Sequence, residues 1–197
     1  MFSVRQALPA DGVALGDIHS TAWAATYAPF FAADFAAEGI ASRRHTWHAR
    51  IARTLPPPPT GASDPRTGVG SAPAGPGEPT LRDAGTILVA EDAGRLLALS
   101  WFRASGTGPD EVEILSFFNH PAGWGTGIAG ALMTATLARS AEEGFRHVRL
   151  WTLRDTPRSR RFYEKCGFAL SGADRPHDFG DGEPLVQVEY RRALSAP

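Results

Sequence analysis

Two hydrophobic periods alternate along this chain. Val13, Leu15, Ile18, Ala22 and Trp23 recur at roughly helical spacing behind Pro9-Ala10-Asp11, which reads as a helix start. Ser3 to Ala7 reads as a short strand before it, and Phe30 to Glu38 and Arg43 to Leu55 read as further helix. The period then shortens. Thr86 to Glu91 and Arg95 to Arg103, joined by Asp92-Ala93-Gly94, predict a hairpin, and Glu111 to Asn119 predicts the next strand. Gly127 to Glu143 reads as a helix that stops at Gly144, because glycine tolerates the left-handed residue that closes a helix. His147 to Leu153 is a strand carrying Val148, Leu150 and Leu153. Pro157 to Lys165 is a helix stopped by Gly167, and Phe168 to Ala173 and Leu185 to Arg191 are the last strands. The order β-α-α-β-β-β-α-β-α-β-β predicts one mixed α/β domain over residues 1–197.

One stretch breaks both periods. Pro56 to Gly85 holds eight of the sixteen prolines and few large apolar residues. It cannot bury enough surface to offset its ordering entropy, so it reads as a flexible insertion within the domain. Elsewhere the composition is ordinary: 43% hydrophobic residues, mean hydropathy −0.19 and net charge −1. That charge gives no general attraction to nucleic acid or membrane. No run of about 18 apolar residues predicts a membrane span, and Met1-Phe2-Ser3-Val4-Arg5 does not read as a signal peptide. Cys166 is the single cysteine, which excludes an intramolecular disulfide and fits a reducing compartment. A cytoplasmic protein is the expectation.

The candidate chemistry begins at His120-Pro121-Ala122-Gly123-Trp124-Gly125-Thr126-Gly127-Ile128-Ala129-Gly130. A phosphate needs hydrogen-bond donors and positive potential, and a helix N-terminus offers both. Gly125 and Gly127 have no side chains to hold a ligand away. The helix behind them is expected to bury Ile128, Leu132 and Ala135, with Ala131 and Ala138 allowing close packing. A tight strand-to-helix turn without a ligand would use the same glycines. The apolar strand and Pro121 ahead of the turn favour phosphate binding. The segment lacks the lysine of a P-loop and the full glycine spacing of a dinucleotide fold.

The second block is Arg160-Arg161-Phe162-Tyr163-Glu164-Lys165-Cys166-Gly167-Phe168. At this separation the two blocks resemble the acyl-CoA site of the GCN5-related N-acetyltransferase (GNAT) family, of the small-molecule, phosphinothricin type. Trp124 stands at the motif position where the family has Arg or Gln, followed by Gly127 and Ala129. The resemblance implies a mixed, mostly antiparallel twisted sheet flanked by helices, whose central strands splay to form an acyl-CoA cleft. It implies acetyl-CoA as co-substrate, bound by backbone groups of Phe117, Phe118 and Asn119. The turn Trp124, Gly125, Thr126, Gly127, Ile128, Ala129 and Gly130 would hold the phosphates. Thr156, which replaces a family Asn, and Ser159 would meet the pantetheine arm.

Tyr163 matches the family tyrosine that lies near the thioester sulfur. A phenol with an ordinary pKa of about 10 can protonate a leaving thiolate; Phe162 beside it reads as sheet packing. Glu113 matches a glutamate that serves some relatives as base through water, with Glu111 and Glu91 as weaker candidates. The aromatic segment His19 to Phe31 would wall the acceptor, chiefly through Trp23 and Tyr27. These residues imply direct transfer of acetyl to a primary amine of a small molecule in a ternary complex. A non-catalytic acyl-CoA sensor on the same fold is an alternative. Another is acetylation of a protein N-terminus or an aminoacyl-tRNA, for which Arg154, Arg158, Arg160 and Arg161 would form the basic stripe unless they meet cofactor phosphates. The six histidines show no metal-ligand spacing, Cys166 reads as packing, and a homodimer is compatible with the family.

Overall fold

The computed structural model describes residues 2–55 and 84–194. Among them a seven-stranded sheet runs in the order β1-β2-β3-β4-β5-β7-β6. Its strands are β1 Ser3–Gln6, β2 Thr86–Asp92, β3 Arg95–Ala104, β4 Glu111–Asn119, β5 His147–Leu153, β6 Ala169–His177 and β7 Leu185–Ala193. All neighbours pair antiparallel except β4 and β5, which are parallel. Helices α1 Gly12–Thr26, α2 Ala33–Arg43 and α3 Trp47–Thr54 precede β2; α4 Ile128–Glu142 and α5 Pro157–Lys165 flank β5 in sequence. The expected mixed, mostly antiparallel α/β sheet is observed. The insertion expected at 56–85 lies outside the described residues except for Ala84 and Gly85.

β2 shows why the sheet is a middle layer. Successive side chains of a strand point to opposite faces. Ile87 and Val89 join Leu15, Ile18, Trp47 and Ile51 of α1 and α3, whereas Leu88 and Ala90 join Ile128, Leu132 and Met133 of α4. Both faces are therefore covered, and the strand reads as a continuous apolar run.

Most element boundaries agree with the sequence pattern to within a few residues. Gly144 (φ +88°) and Gly167 (φ +80°) end α4 and α5 in the left-handed conformation. The helices expected over Phe30–Glu38 and Arg43–Leu55 divide differently, as α2 and α3, because Trp47 and Ile51 of α3 dock fully buried against α1. β6 runs on to His177, beyond the expected end at Ala173. One packing expectation fails: Ala138 is exposed, and the inner face of α4 is completed by Met133, Thr136, Leu137 and Ser140. Thr136 and Ser140 are tolerated there because their hydroxyls donate to the carbonyls of Leu132 and Thr136, 2.9 and 2.8 Å away.

A single glycine sets the approach of the N-terminal helices. A Cβ at Gly16 of α1 would land on the backbone carbonyl of Arg44, in the connection between α2 and α3. Backbone cannot yield as a flexible side chain does. Gly16→Ala is expected to cost about 1–3 kcal/mol by overpacking, lowering Tm by roughly 2–12 °C. A thermal melt with unchanged Tm would show that this contact does not position α2.

Candidate active site

β4 and β5 are paired only over Glu111–Ile114 and His147–Leu150. Beyond those rungs β4 stays bonded to β3 as far as Asn119, and β5 to β7 as far as Leu153, so the sheet opens between them. Two cavities flank this opening and share Tyr27 and Phe118.

The cavity at the glycine turn has a volume of about 640 Å³. Phe117, Asn119, Gly125, Gly127 and Gly130 contribute to one wall, and Ser159 and Tyr163 of α5 to another. Gly127 is the N-cap of α4 with φ +94°, and Gly125 has φ +79°. Left-handed backbone at both turns the chain sharply into the helix at a cost only glycine avoids. A Cβ at Gly125 or Gly130 would meet nothing within 4 Å. The space in front of the helix head is therefore open to a ligand. Ala129 also lines it, whereas Thr126 and Ile128 build the turn from behind. The Thr126 hydroxyl donates to the Gly123 carbonyl at 2.9 Å, and Ile128 is fully buried in the core.

Trp124 takes a structural role that its position in the motif did not announce. Its indole N–H donates to the Asn119 carbonyl at 3.0 Å, and the Arg158 guanidinium lies 3.5 Å from its ring centroid. The cation missing from the turn is thus supplied by α5. The arginine cluster splits accordingly. Arg158 and Arg161 line the cavity. Arg160 instead donates to the Tyr190 hydroxyl and the Arg154 carbonyl, and Arg154 pairs with Asp155. Asn119 donates its amide to the Gly123 carbonyl at 3.3 Å, while its buried Oδ1 has no partner among the described residues.

Thr156 departs from expectation. It is the N-cap residue of α5 and is buried, but its hydroxyl donates to the Leu153 carbonyl at 2.7 Å rather than to the helix, and it does not line the cavity. The short hydroxyl side chain reaches its own turn before it reaches the cleft. Tyr163, by contrast, faces the cavity with 8% of its surface exposed. Phe117, Phe162, Phe168 and Tyr190 pack around its ring at centroid separations of 5.6–6.5 Å. Its hydroxyl makes no hydrogen bond among the described residues. Burial, and to a lesser degree the neighbouring Tyr27 and Cys166, push its pKa well above the ordinary phenol value. Cys166 is half-buried at the end of α5 with its thiol also shifted upward by burial, consistent with packing.

The second cavity, of about 440 Å³, lies on the side of the N-terminal helices. Trp23 and Tyr27 contribute to its wall as expected, joined by His19, Arg43, Arg50 and Phe118. Glu113 reaches it from β4, but its carboxylate also accepts both Nε and Nη2 of Arg149, at 3.1 and 2.7 Å. Glu111 and Glu91 line neither cavity. Glu111 is taken up by Ser105, Thr107, Arg149 and Arg191, and Glu91 by Ser3 and Arg5. Phe179, from the β6–β7 connection, meets Phe31 edge-on at 5.2 Å and tilts against Tyr27 at 6.4 Å, spanning from the sheet edge to the helices.

His19 is held neutral. Burial, then the charges of Arg43 and Arg50, lower its pKa to about 3. Its Nδ1 accepts from Trp47 Nε1 at 3.1 Å, which assigns the remaining ring proton to Nε2. Arg43, Arg50, Arg175, Asp178 and Phe179 were not anticipated here. No local pattern marks them, because α2, α3 and the β6–β7 connection meet only through the fold. Among the described residues no group of three or more His, Cys, Asp or Glu side chains could hold a metal, and no helix is long and apolar enough to cross a membrane.

An open sheet with a glycine-built helix head at its splayed strands is the architecture of N-acetyltransferases. The PaiA N-acetyltransferase of Thermoplasma acidophilum, solved with coenzyme A, superposes with a TM-score of 0.68 at 15% identity, covering 98% of this chain and 99% of that one. A candidate phosphinothricin N-acetyltransferase superposes with a TM-score of 0.65 at 20% identity, covering 99% of each. The acetyltransferase (GNAT) family model matches residues 56–168, and the chain belongs to that family. Uncharacterized N-acetyltransferases of Mycobacterium bovis and Mycobacterium tuberculosis are 36% identical over 87 residues, 44% of this chain and 54% of theirs. The chain thus spans about half the length of the curated relatives it matches.

Proposed function

We propose that the protein is an acetyl-CoA-dependent N-acetyltransferase that modifies a primary amine of a small molecule by direct attack in a ternary complex. One observation carries the reading: the two cavities meet at Tyr27 and Phe118, with Tyr163 on the wall of one and Glu113 on the wall of the other. An acyl group held at the junction is open to an amine from the second cavity.

The residues present suit acetyl-CoA, which supplies an activated thioester. The pyrophosphate falls to the N–H groups at the head of α4, in the space left by Gly125, Gly127 and Gly130. Arg158, held on Trp124, adds positive charge. The second edge of β4 beyond Ile114, with Phe117, Phe118 and Asn119, serves the pantetheine amides through its backbone groups. Ser159 lines the same wall. Glu113 takes the amine proton through water, its negative charge moderated by Arg149. Tyr163 donates its proton to the departing sulfur.

A small acceptor is favoured over a protein N-terminus by Phe179, which bridges the acceptor cavity where a peptide would need an open groove. The division of the arginine cluster speaks against a tRNA stripe. Cofactor and acceptor together need no metal in this reading.

Calorimetric titration with acetyl-CoA and with CoA, followed by thiol release over a panel of amines, tests the proposal. Micromolar binding without transfer to any amine would leave an acyl-CoA sensor instead. Arg158→Ala is expected to weaken acetyl-CoA binding by roughly three- to tenfold, as for loss of one partly solvated charge contact, and to flatten its salt dependence. An unchanged Kd at low salt would remove Arg158 from the phosphate site.

A further inference from the structure

We infer that the acceptor cavity is built for an amine that also carries an anionic group, as in an amino acid, with Arg43 and Arg50 holding the anion. This rests on the acetyltransferase reading of the cleft. Arg43 ends α2, and its guanidinium lies 4.1 Å from the Trp23 ring centroid while donating to the Gly39 carbonyl at 2.6 Å. Arg50 of α3 lies between the rings of Trp47 and Trp101, 5.1 and 4.8 Å from their centroids. Both line the cavity, and both are half-buried.

Neither has a carboxylate within ion-pairing distance among the described residues. This sets them apart from Arg5, Arg149 and Arg191, which pair with Asp11, with Glu113 and with Glu189. A desolvated cation is retained at a cost unless something compensates it. Arginine remains charged in proteins, so neutralisation is not an escape.

One further donor points to the same ligand chemistry: neutral His19 offers Nε2–H at the same wall. The cavity's carboxylates come from the sheet side: Glu113 of β4, and Asp178 beyond β6, which already accepts the N–H groups of Gly180 and Gly182. Tyr27, Arg175 and His177 complete its titratable groups, and Glu38 lies in the adjoining cavity beside Arg43 and Arg50. An ammonium toward Glu113 and an anion toward the helices match this polarity, and a volume of about 440 Å³ sets a small molecule. A polyamine would bring its second cation against two uncompensated guanidinium groups.

The test compares glycine, L-alanine and L-leucine with their α-carboxamides, together with aminomethylphosphonate and spermidine. The purified full chain is used at saturating acetyl-CoA, with thiol release as the readout. The carboxamide amines are the less basic, so intrinsic reactivity favours them, and a preference for the acids must come from the site. The acids are expected to exceed their amides at least tenfold in kcat/KM. Arg43→Gln and Arg50→Gln are expected to narrow that ratio about tenfold, Arg43→Lys less so, with the Kd for acetyl-CoA unchanged as a check on folding.

Amides or spermidine matching the acids, or an acid-to-amide ratio indifferent to both arginines, would overturn the inference while acetyl transfer stands. Quenching of tryptophan fluorescence by the acids, read without acetyl-CoA, separates the remaining cases. Quenching weakened in Arg43→Gln, with no amine acetylated, would keep the anion site and discard the enzyme reading. No saturable quenching together with no transfer would remove both.

Discussion

Tyr163→Phe is expected to lower kcat by about two to three orders of magnitude, the usual scale for a lost general acid, while acetyl-CoA still binds with a near-unchanged Kd. The substitution is close to isosteric. Four aromatic rings hold the Tyr163 ring, and all four contacts survive removal of the hydroxyl. The hydroxyl makes no hydrogen bond among the described residues, so its loss strands no buried partner and Tm should move little. Chemistry is what remains to be lost. A thiolate expelled into this desolvated space is costly, and a phenol beside it can supply the proton as charge builds on sulfur.

The sign of the pKa shift gives a second readout. Because burial raises the Tyr163 pKa above its ordinary value, the donor form is fully populated at neutral pH and is lost only as pH climbs through the raised value. The pH profile of kcat should show no descending limb from this group below about pH 10. A variant within threefold of wild type would return Tyr163 to a packing role and leave protonation to water.

The second large effect is expected at the turn. Gly127→Val should weaken acetyl-CoA binding by at least about a hundredfold, equivalent to losing one or two charge-assisted hydrogen bonds. The N-cap of α4 is held at φ +94°, where a β-branched residue is a genuine outlier. The chain must re-route, and the N–H groups at the helix head lose their common direction. Gly130→Ala provides the control. Gly130 is helical with open space where its Cβ would be, so alanine should add about 0.5–1 kcal/mol of helix stability. If phosphate occupies that space, the same change weakens acetyl-CoA binding. A higher Tm with poorer binding identifies the space as the ligand's own; a higher Tm with unchanged binding places the ligand elsewhere.

How far the site was legible follows from the range of the interactions involved. The structural positions of Gly127, Gly130 and Tyr163 were readable because each is set by its neighbours in sequence: a helix head, an open helical face, a helix end before Gly167. Trp124 was visible as a departure from the motif, but its partner was not. Arg158 could be grouped with three other arginines by spacing, and only its stacking on Trp124 distinguishes it from Arg160, whose donors go to Tyr190 and Arg154. Thr156 shows the converse: its residue type suited a contact with a ligand, but the nearby Leu153 carbonyl takes the hydroxyl.

The sequence by itself determined the elements and their order. Periods of 2 and 3.6 report which faces must leave water, and glycine reports where the backbone must turn left-handed; both are set within a few residues. From these came β4, β5, α5, the glycine turn and the fold class. Tertiary structure alone decided where β4 and β5 stop pairing after Ile114 and Leu150, which opens the cleft. It also brought Arg43 and Arg50 to a cavity shared with Glu113, Trp151 and Phe179. Those residues are far apart along the chain, and no local preference links them. They meet because α2 and α3 both pack on α1, whose apolar face is buried against the sheet, so Arg43 and Arg50 reach an opening that their own sequence does not describe.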